Sequence, residues 1–372
     1  MFCKKLISLF LAAVLTLSLC ACGGEQPPAS PASPSASENP APEAPATILL
    51  TDNVGREVEL PYPVERCAVA LRYTNELIRA CGAIDRVVAV DLNTAQDRDY
   101  WRMFDPEQVI GKSQRELDYE QIVSLAPQVV ILPSNGAWQE AEEKLAPFGI
   151  KVFVISGYDT MDFENQCANI GKMFAVEEAA QKFCSYFTEK LDYINQQLEG
   201  VEPRTYYYEG NTDYTSTLPG DYFYDMFQLA HGKNIFAGDA ASVSINEVDP
   251  EEILKRKPDV IFKVITPDAA RTGTGLYDPP EKEQFAESLQ KLVSRPAWEE
   301  IPAVQNGDVY FMTQFSHGGA CKLVGTIYAA KCLYPDLLPD LDPDEVFRTW
   351  LEDFQGFRNV GGHFYAAGEL AG

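Results

Sequence analysis

Residues 176–199 read VEEAAQKFCSYFTEKLDYINQQLE. Val176, Ala180, Phe183, Phe187, Leu191, Ile194 and Leu198 step by three or four, which sets them along one face of a helix. Gly200 ends the pattern. About 24 residues make roughly 36 Å of rod, enough to run from one domain to the next. The spacing predicts a strut.

What it joins is written on either side. Before it, "ILLTDNVGREVELP" (48–61) alternates around an Asp-Asn-x-Gly turn and reads as a hairpin. "CAVAL", "VVAV", "VVIL" and "KVFVI" follow as short apolar runs, separated by helical stretches such as 74–81 and 137–147. After it come "RTYYYEG", a helix near 221–230, "DVIFKV", "DVYFM" and a helix from about 320 to 333. Strands alternating with helices indicate parallel sheets covered on both faces. The chain also echoes itself. "DYEQIVSLAPQVVIL" (118–132) aligns without a gap on "DPEEILKRKPDVIFK" (249–263), matching Glu120 to Glu251, Ile122 to Ile253 and Pro127 to Pro258. The expected fold is α/β, with two Rossmann-like lobes joined by one long rigid helix. The lobes take residues 47–165 and 201–372, and 166–200 forms the link.

The chain begins differently. Lys4 and Lys5 precede an uncharged run from Leu6 to Ala21, the pattern of an export signal over residues 1–21. The run is short for a bilayer span, which takes about 20 apolar residues. It ends Leu19-Cys20-Ala21-Cys22-Gly23, which resembles a bacterial lipobox and makes Cys22 the expected lipidated N-terminus. Residues 22–46 are a tether: seven prolines with Ala, Ser, Glu and Gly bury no core and stay extended. The expected location is outside the cytoplasm, anchored to the bacterial cell membrane.

Composition narrows the partners. Removing the two signal lysines takes the formal charge from −25 to −27, a poor match for nucleic acid. Six of the nine cysteines lie beyond residue 22. Cys321 and Cys332 are too far apart along one helix to bond, while Cys67 with Cys81 and Cys167 with Cys184 remain possible pairs. Buried free thiols are the favoured reading. His231, His317 and His363 lie far apart, and no C-x-x-C follows the signal, so no metal site and no cofactor are expected. "VIGKS" (109–113) fails the phosphate-loop spacing because Pro106 stands where glycine is needed. No G-x-S-x-G occurs. The chain does not read as an enzyme, with a tethered surface hydrolase as the alternative.

Taken in order, "TDNVGREVELPYPVERCAVA", "GAIDRVVAVD", "EQIVSLAPQVVI", "PEEILKRKPDVIF" and "RPAWEEIPAVQNGDVYFM" are similar to the periplasmic-binding-protein family that serves ABC importers of iron–siderophores, cobalamin and haem. The resemblance covers about 48 to 358. It implies two α/β lobes bridged by a rigid helix, small lobe motions, and a metal-chelate ligand passed to ABC permease transmembrane subunits. An iron–siderophore is the first choice, a corrinoid or haem the second. Docking would use one surface carboxylate per lobe, Glu251 in the second and Glu140 in the first. Ligands in such sheets collect beyond the carboxyl ends of the strands. That rule puts Arg72, Tyr73, Asn135, Trp138 and Tyr158 at the cleft from the first lobe, with Trp101 as a rim. From the second it puts Tyr214, Arg271, Tyr277, Phe315 and His317 there. Rings supply area and arginine grips chelating oxygens. Family members often carry arginine where this chain has "HGGACK"; with only Lys322 present, no oxygen-gripping role is carried onto that loop.

Overall fold

The computed structural model describes residues 46–239, 247–266, 277–317 and 322–371. The signal, nearly all of the tether, Cys22 and Arg271 lie outside the described residues.

The two apolar strand sets form two sheets. In the first lobe β1 (Thr47–Thr51) and β2 (Glu57–Pro61) make the expected hairpin. Next come β3 (Cys67–Val69), β4 (Val87–Val90), a small hairpin of β5 (Gly111–Ser113) and β6 (Glu116–Leu117), then β7 (Val129–Leu132) and β8 (Lys151–Val154). The sheet runs β4-β3-β7-β8 and is wholly parallel. Every residue of β3 and β7 is buried, which is why both read as apolar runs without alternation. In the second lobe β9 (Thr205–Glu209), β10 (Lys233–Asn234), β11 (Val260–Ile265), β12 (Val309–Thr313) and β13 (Phe364–Ala366) order as β10-β9-β11-β12-β13. Only β13 in this sheet runs antiparallel.

The echoed segments fold alike. Asp118 accepts the Gln121 N–H and caps the helix Tyr119–Leu125; Asp249 accepts the Glu251 N–H and caps Pro250–Arg256. Each helix closes on a left-handed residue, Ala126 or Lys257, both at φ 47°. Each then passes a proline into an interior strand, β7 or β11. The repeat is structural as well as sequential.

The strut forms over Glu177–Gln197, about 31 Å long at 1.5 Å per residue. Its buried face carries Ala180, Phe183, Phe187, Leu191 and Ile194, the stripe read from the sequence. A second link is absent from that reading. The helix Pro343–Thr349, capped by Asp342, runs into a wider turn at Trp350–Phe354. Trp350 is fully buried, its ring centroid 6.0 Å from Phe183, while Phe354 sits 5.1 Å from Phe183. Gln355 then binds the first lobe: its Nε2 donates to the Glu76 carbonyl at 3.0 Å, and its own carbonyl accepts from Arg79 at 3.1 Å. Part of 201–372 therefore packs on the first lobe. Cys67, Cys81, Cys167, Cys184 and Cys332 are buried thiols; Cys321 lies outside the described residues.

Candidate functional site

The carboxyl ends of the strands bring residues of the two lobes together at two places. At one, β3 gives way to the helix Arg72–Ala80, so Arg72 and Tyr73 occupy its first turn. A cation there opposes the helix dipole, and no acid in that turn offsets it. Such a placement costs stability and suits an anion-gripping role. Arg72 Nη2 donates to the Tyr73 hydroxyl at 3.0 Å, and Gln314 Nε2, from the end of β12, reaches the same hydroxyl at 3.5 Å. The two lobes meet at this ring.

At the other stands Tyr158, after β8. Its hydroxyl lies 3.3 Å from Ser134 Oγ, and its ring centroid is 4.5 Å from that of Tyr222 in the second lobe. Gly157 brings the two places together. A Cβ there would fall 2.6 Å from the Tyr73 carbonyl oxygen and 2.7 Å from Thr74 Cα, so only glycine allows this approach.

Lys322 has no role in the sequence reading. It opens the helix Lys322–Leu333 and is 3 % exposed. Its Nζ donates to the Tyr158 carbonyl across the lobes at 3.2 Å and lies 4.5 Å from the centre of the Phe223 ring. Burial pulls its pKa down to about 8, against the opposing pull of Asp221, Asp159 and Asp225. A buried ammonium has three N–H donors to satisfy, and the Tyr158 carbonyl takes one of them. No local pattern flags it; the signal was the lysine standing where relatives were expected to carry arginine.

Several expected site residues are engaged elsewhere. Trp101 is corrected: it is 0 % exposed and forms no rim. Its indole N–H donates to the Tyr277 hydroxyl at 3.0 Å, and the Arg79 guanidinium lies 3.7 Å over its ring. Tyr277 stacks on Tyr100 at 3.6 Å, and Phe315 meets Tyr277 edge-on at 4.6 Å. These rings form an interlobe core beneath Arg72, with Glu76 fully buried among them. Burial raises the Glu76 carboxyl to about 8, only partly countered by Arg72, Arg79 and the Tyr277 and Tyr100 hydroxyls.

Tyr214 packs its ring 4.5 Å from Arg295 and donates its N–H to Glu209. Glu209 is locked in a buried ion cluster: Arg295 grips it at 2.8 and 3.0 Å, and Lys263 at 2.8 Å. Trp138 lies against the Arg56 guanidinium and donates to the Ser134 carbonyl at 3.3 Å. Asn135 is exposed on the same loop. His317 ends the short helix Gln314–His317, its side chain outside the described residues. Among the described residues, no group of three or more His, Cys, Asp and Glu side chains is arranged to hold a metal ion.

Both proposed docking carboxylates are exposed. Glu140 pairs with Lys144 at 2.6 Å. Glu251 projects from the first turn of Pro250–Arg256, while its neighbour Glu252 is held by Lys255 and Arg256. The folded repeat gives Glu251 a geometric counterpart in the first lobe, and it is Glu120 rather than Glu140.

A family model described as periplasmic binding protein matches residues 69–314. A vitamin B12-binding protein of Vibrio cholerae is 26 % identical over 207 residues, 54 % of this chain and 71 % of the relative. A molybdate-binding protein, MolA, of Haemophilus influenzae is 21 % identical over 343 residues, 83 % of this chain and 91 % of the relative. The crystal structure of a TroA-like periplasmic binding protein, FepB, from Veillonella parvula superposes with a TM-score of 0.69 at 20 % identity, covering 86 % of this chain and 99 % of that one. With two α/β lobes, a connecting strut and a family match over most of its length, this chain belongs to the periplasmic binding protein family.

Proposed function

We propose that this extracytoplasmic solute-binding component of an ABC transporter captures a metal chelate between Arg72–Tyr73 at one end of the cleft and Tyr158–Tyr222–Phe223–Lys322 at the other. The observation that carries the reading is the pair of cations set among rings at the junction of the lobes, Arg72 and the buried Lys322. Rings cover a flat or bulky chelate, and the cations grip its outward oxygens. An anionic iron chelate of the siderophore kind fits both features. A corrinoid is the second reading, supported by the vitamin B12-binding relatives. The chain is held to the membrane through a lipid on Cys22 and hands its ligand on by pairing Glu251 and a first-lobe carboxylate, Glu140 or its rival Glu120, with basic residues of the permease. The family binds and releases; it does no covalent chemistry.

The test is a fluorescence titration of the purified chain with ferric hydroxamate and catecholate siderophores, cobalamin, cobinamide, haemin and molybdate, controlled for inner-filter effects. Saturable quenching by one class at micromolar concentration or below identifies the ligand. For an anionic chelate, Arg72→Ala and Lys322→Ala should each weaken binding by about 1.5–3 kcal/mol, roughly 10- to 150-fold. For a neutral corrinoid both changes should be small. A folded chain that binds none of the panel removes the metal-chelate reading.

A further inference from the structure

The first lobe holds a thiol cluster that the ligand site does not use. Cys167 lies on the helix Phe163–Phe174, Cys184 on the strut Glu177–Gln197, and Cys81 just after Arg72–Ala80. Cys184 and Cys81 both lie near enough to the Cys167 thiol to act on its titration. The helix pair is packed closely enough to impose this. A Cβ on Gly171 would fall 3.1 Å from the Ala180 Cβ and 3.1 Å from the Glu177 Cα. Cys167 and Cys184 also line one surface pocket of about 160 Å³, with Glu164 and Lys172 among its other walls. Cys81 is 0 % exposed and does not line it, whereas Cys184 retains 9 % exposure. Two members of the cluster thus line an opening, and the third is sealed in the core.

We infer that Cys167 and Cys184 are a redox pair, open through this pocket to a disulfide oxidant, that closes into a bond tying the strut to the preceding helix. The compartment favours it, because disulfides persist outside the cytoplasm. In the exchange, the Cys184 thiolate attacks one sulfur of a small-molecule or enzyme disulfide and expels the first oxidant thiolate. The Cys167 thiolate then attacks Cys184 Sγ and expels the second. Two thiols lose two protons and two electrons, and the oxidant's S–S bond becomes two thiols. The neighbouring Cys167 thiol and, after it, burial hold the Cys184 thiol above its ordinary pKa, so the exchange is slow at neutral pH and faster in alkali.

The purified full chain is incubated with glutathione disulfide at alkaline pH, alkylated, digested and mapped by mass spectrometry. The expected product is a Cys167–Cys184 linked peptide, lighter by two hydrogens than its reduced pair, formed equally in Cys81→Ser and absent from Cys184→Ser. Thermal unfolding of the oxidised chain should shift upward, and a reductant should reverse the shift. The pairing is overturned if wild-type Cys167 and Cys184 both remain alkylatable, or if a glutathione adduct persists on Cys184 unresolved. A Cys81–Cys167 bond as the main product overturns it too. The wild-type map decides the matter even if a variant fails to fold.

Discussion

Glu76 and Lys322 are both buried, and both sit where the lobes touch. Glu76 ordinarily titrates near 4.5, and burial lifts it to about 8 in the folded chain. Between those values the native state holds a proton that the unfolded chain releases, so this group's contribution is complete below 4.5 and is lost as pH rises through about 8. Glu76→Gln should therefore gain stability relative to wild type as pH rises from 4.5 to about 8, read from denaturant midpoints of the two proteins. The opposite slope from His363, which burial lowers to about 3, is common to both and cancels. A pH-independent difference would mean that Glu76 is ionised in the fold. Lys322 gives a binding prediction instead. Its ammonium is lost as pH passes about 8, so affinity for an anionic chelate should fall across that range. Lys322→Arg, which keeps its charge, should flatten the profile. Equal profiles would remove Lys322 from the grip.

Elements were legible wherever their signal is local. The strut follows from one apolar stripe, and the two capped helices follow from Asp, seven helical residues and Pro repeated in step. What escaped depends on pairs distant in sequence. Trp101 looks like a surface residue within "DRDYWRMF" because Arg98, Asp99 and Arg102 surround it. In the fold Tyr100, Trp101 and Phe104 turn inward, onto Arg79 and Tyr277. Glu209 at the end of β9 reads as a cleft acid, yet its partners Lys263 and Arg295 lie far along the chain. Burial opposes its charge, but those two cations outweigh burial and hold its carboxyl below the usual range. Glu209→Ala would leave Lys263 and Arg295 to the half-buried Asp213, and would strand the Tyr207 hydroxyl and the Tyr214 N–H that Glu209 accepts from. The expected loss is about 3–5 kcal/mol in denaturant unfolding. A loss below about 1 kcal/mol would place the cluster among surface ion pairs.

At the scale of the molecule, two of the ties between the lobes among the described residues lie away from the cleft. The strut is one, and the Trp350–Gln355 turn is the other, with Trp350 and Phe354 against Phe183 and Gln355 bonded to the first lobe. A hinge needs a few residues free to change backbone angles, whereas these links are a continuous helix and a buried aromatic wedge. Ligand capture should therefore occur with little relative motion, through side chains and the loops at the cleft. Small-angle scattering should give the same radius of gyration for the chain with and without a saturating chelate. A contraction resolved by scattering in the wild type would show a working hinge and refute the two-link account. Trp350→Ala should cost about 3–5 kcal/mol as its cavity opens. If the folded fraction then contracts on binding where the wild type does not, the wedge is what holds the lobes apart. If it does not contract, the strut alone sets their spacing, and the C-terminal turn contributes stability without governing motion.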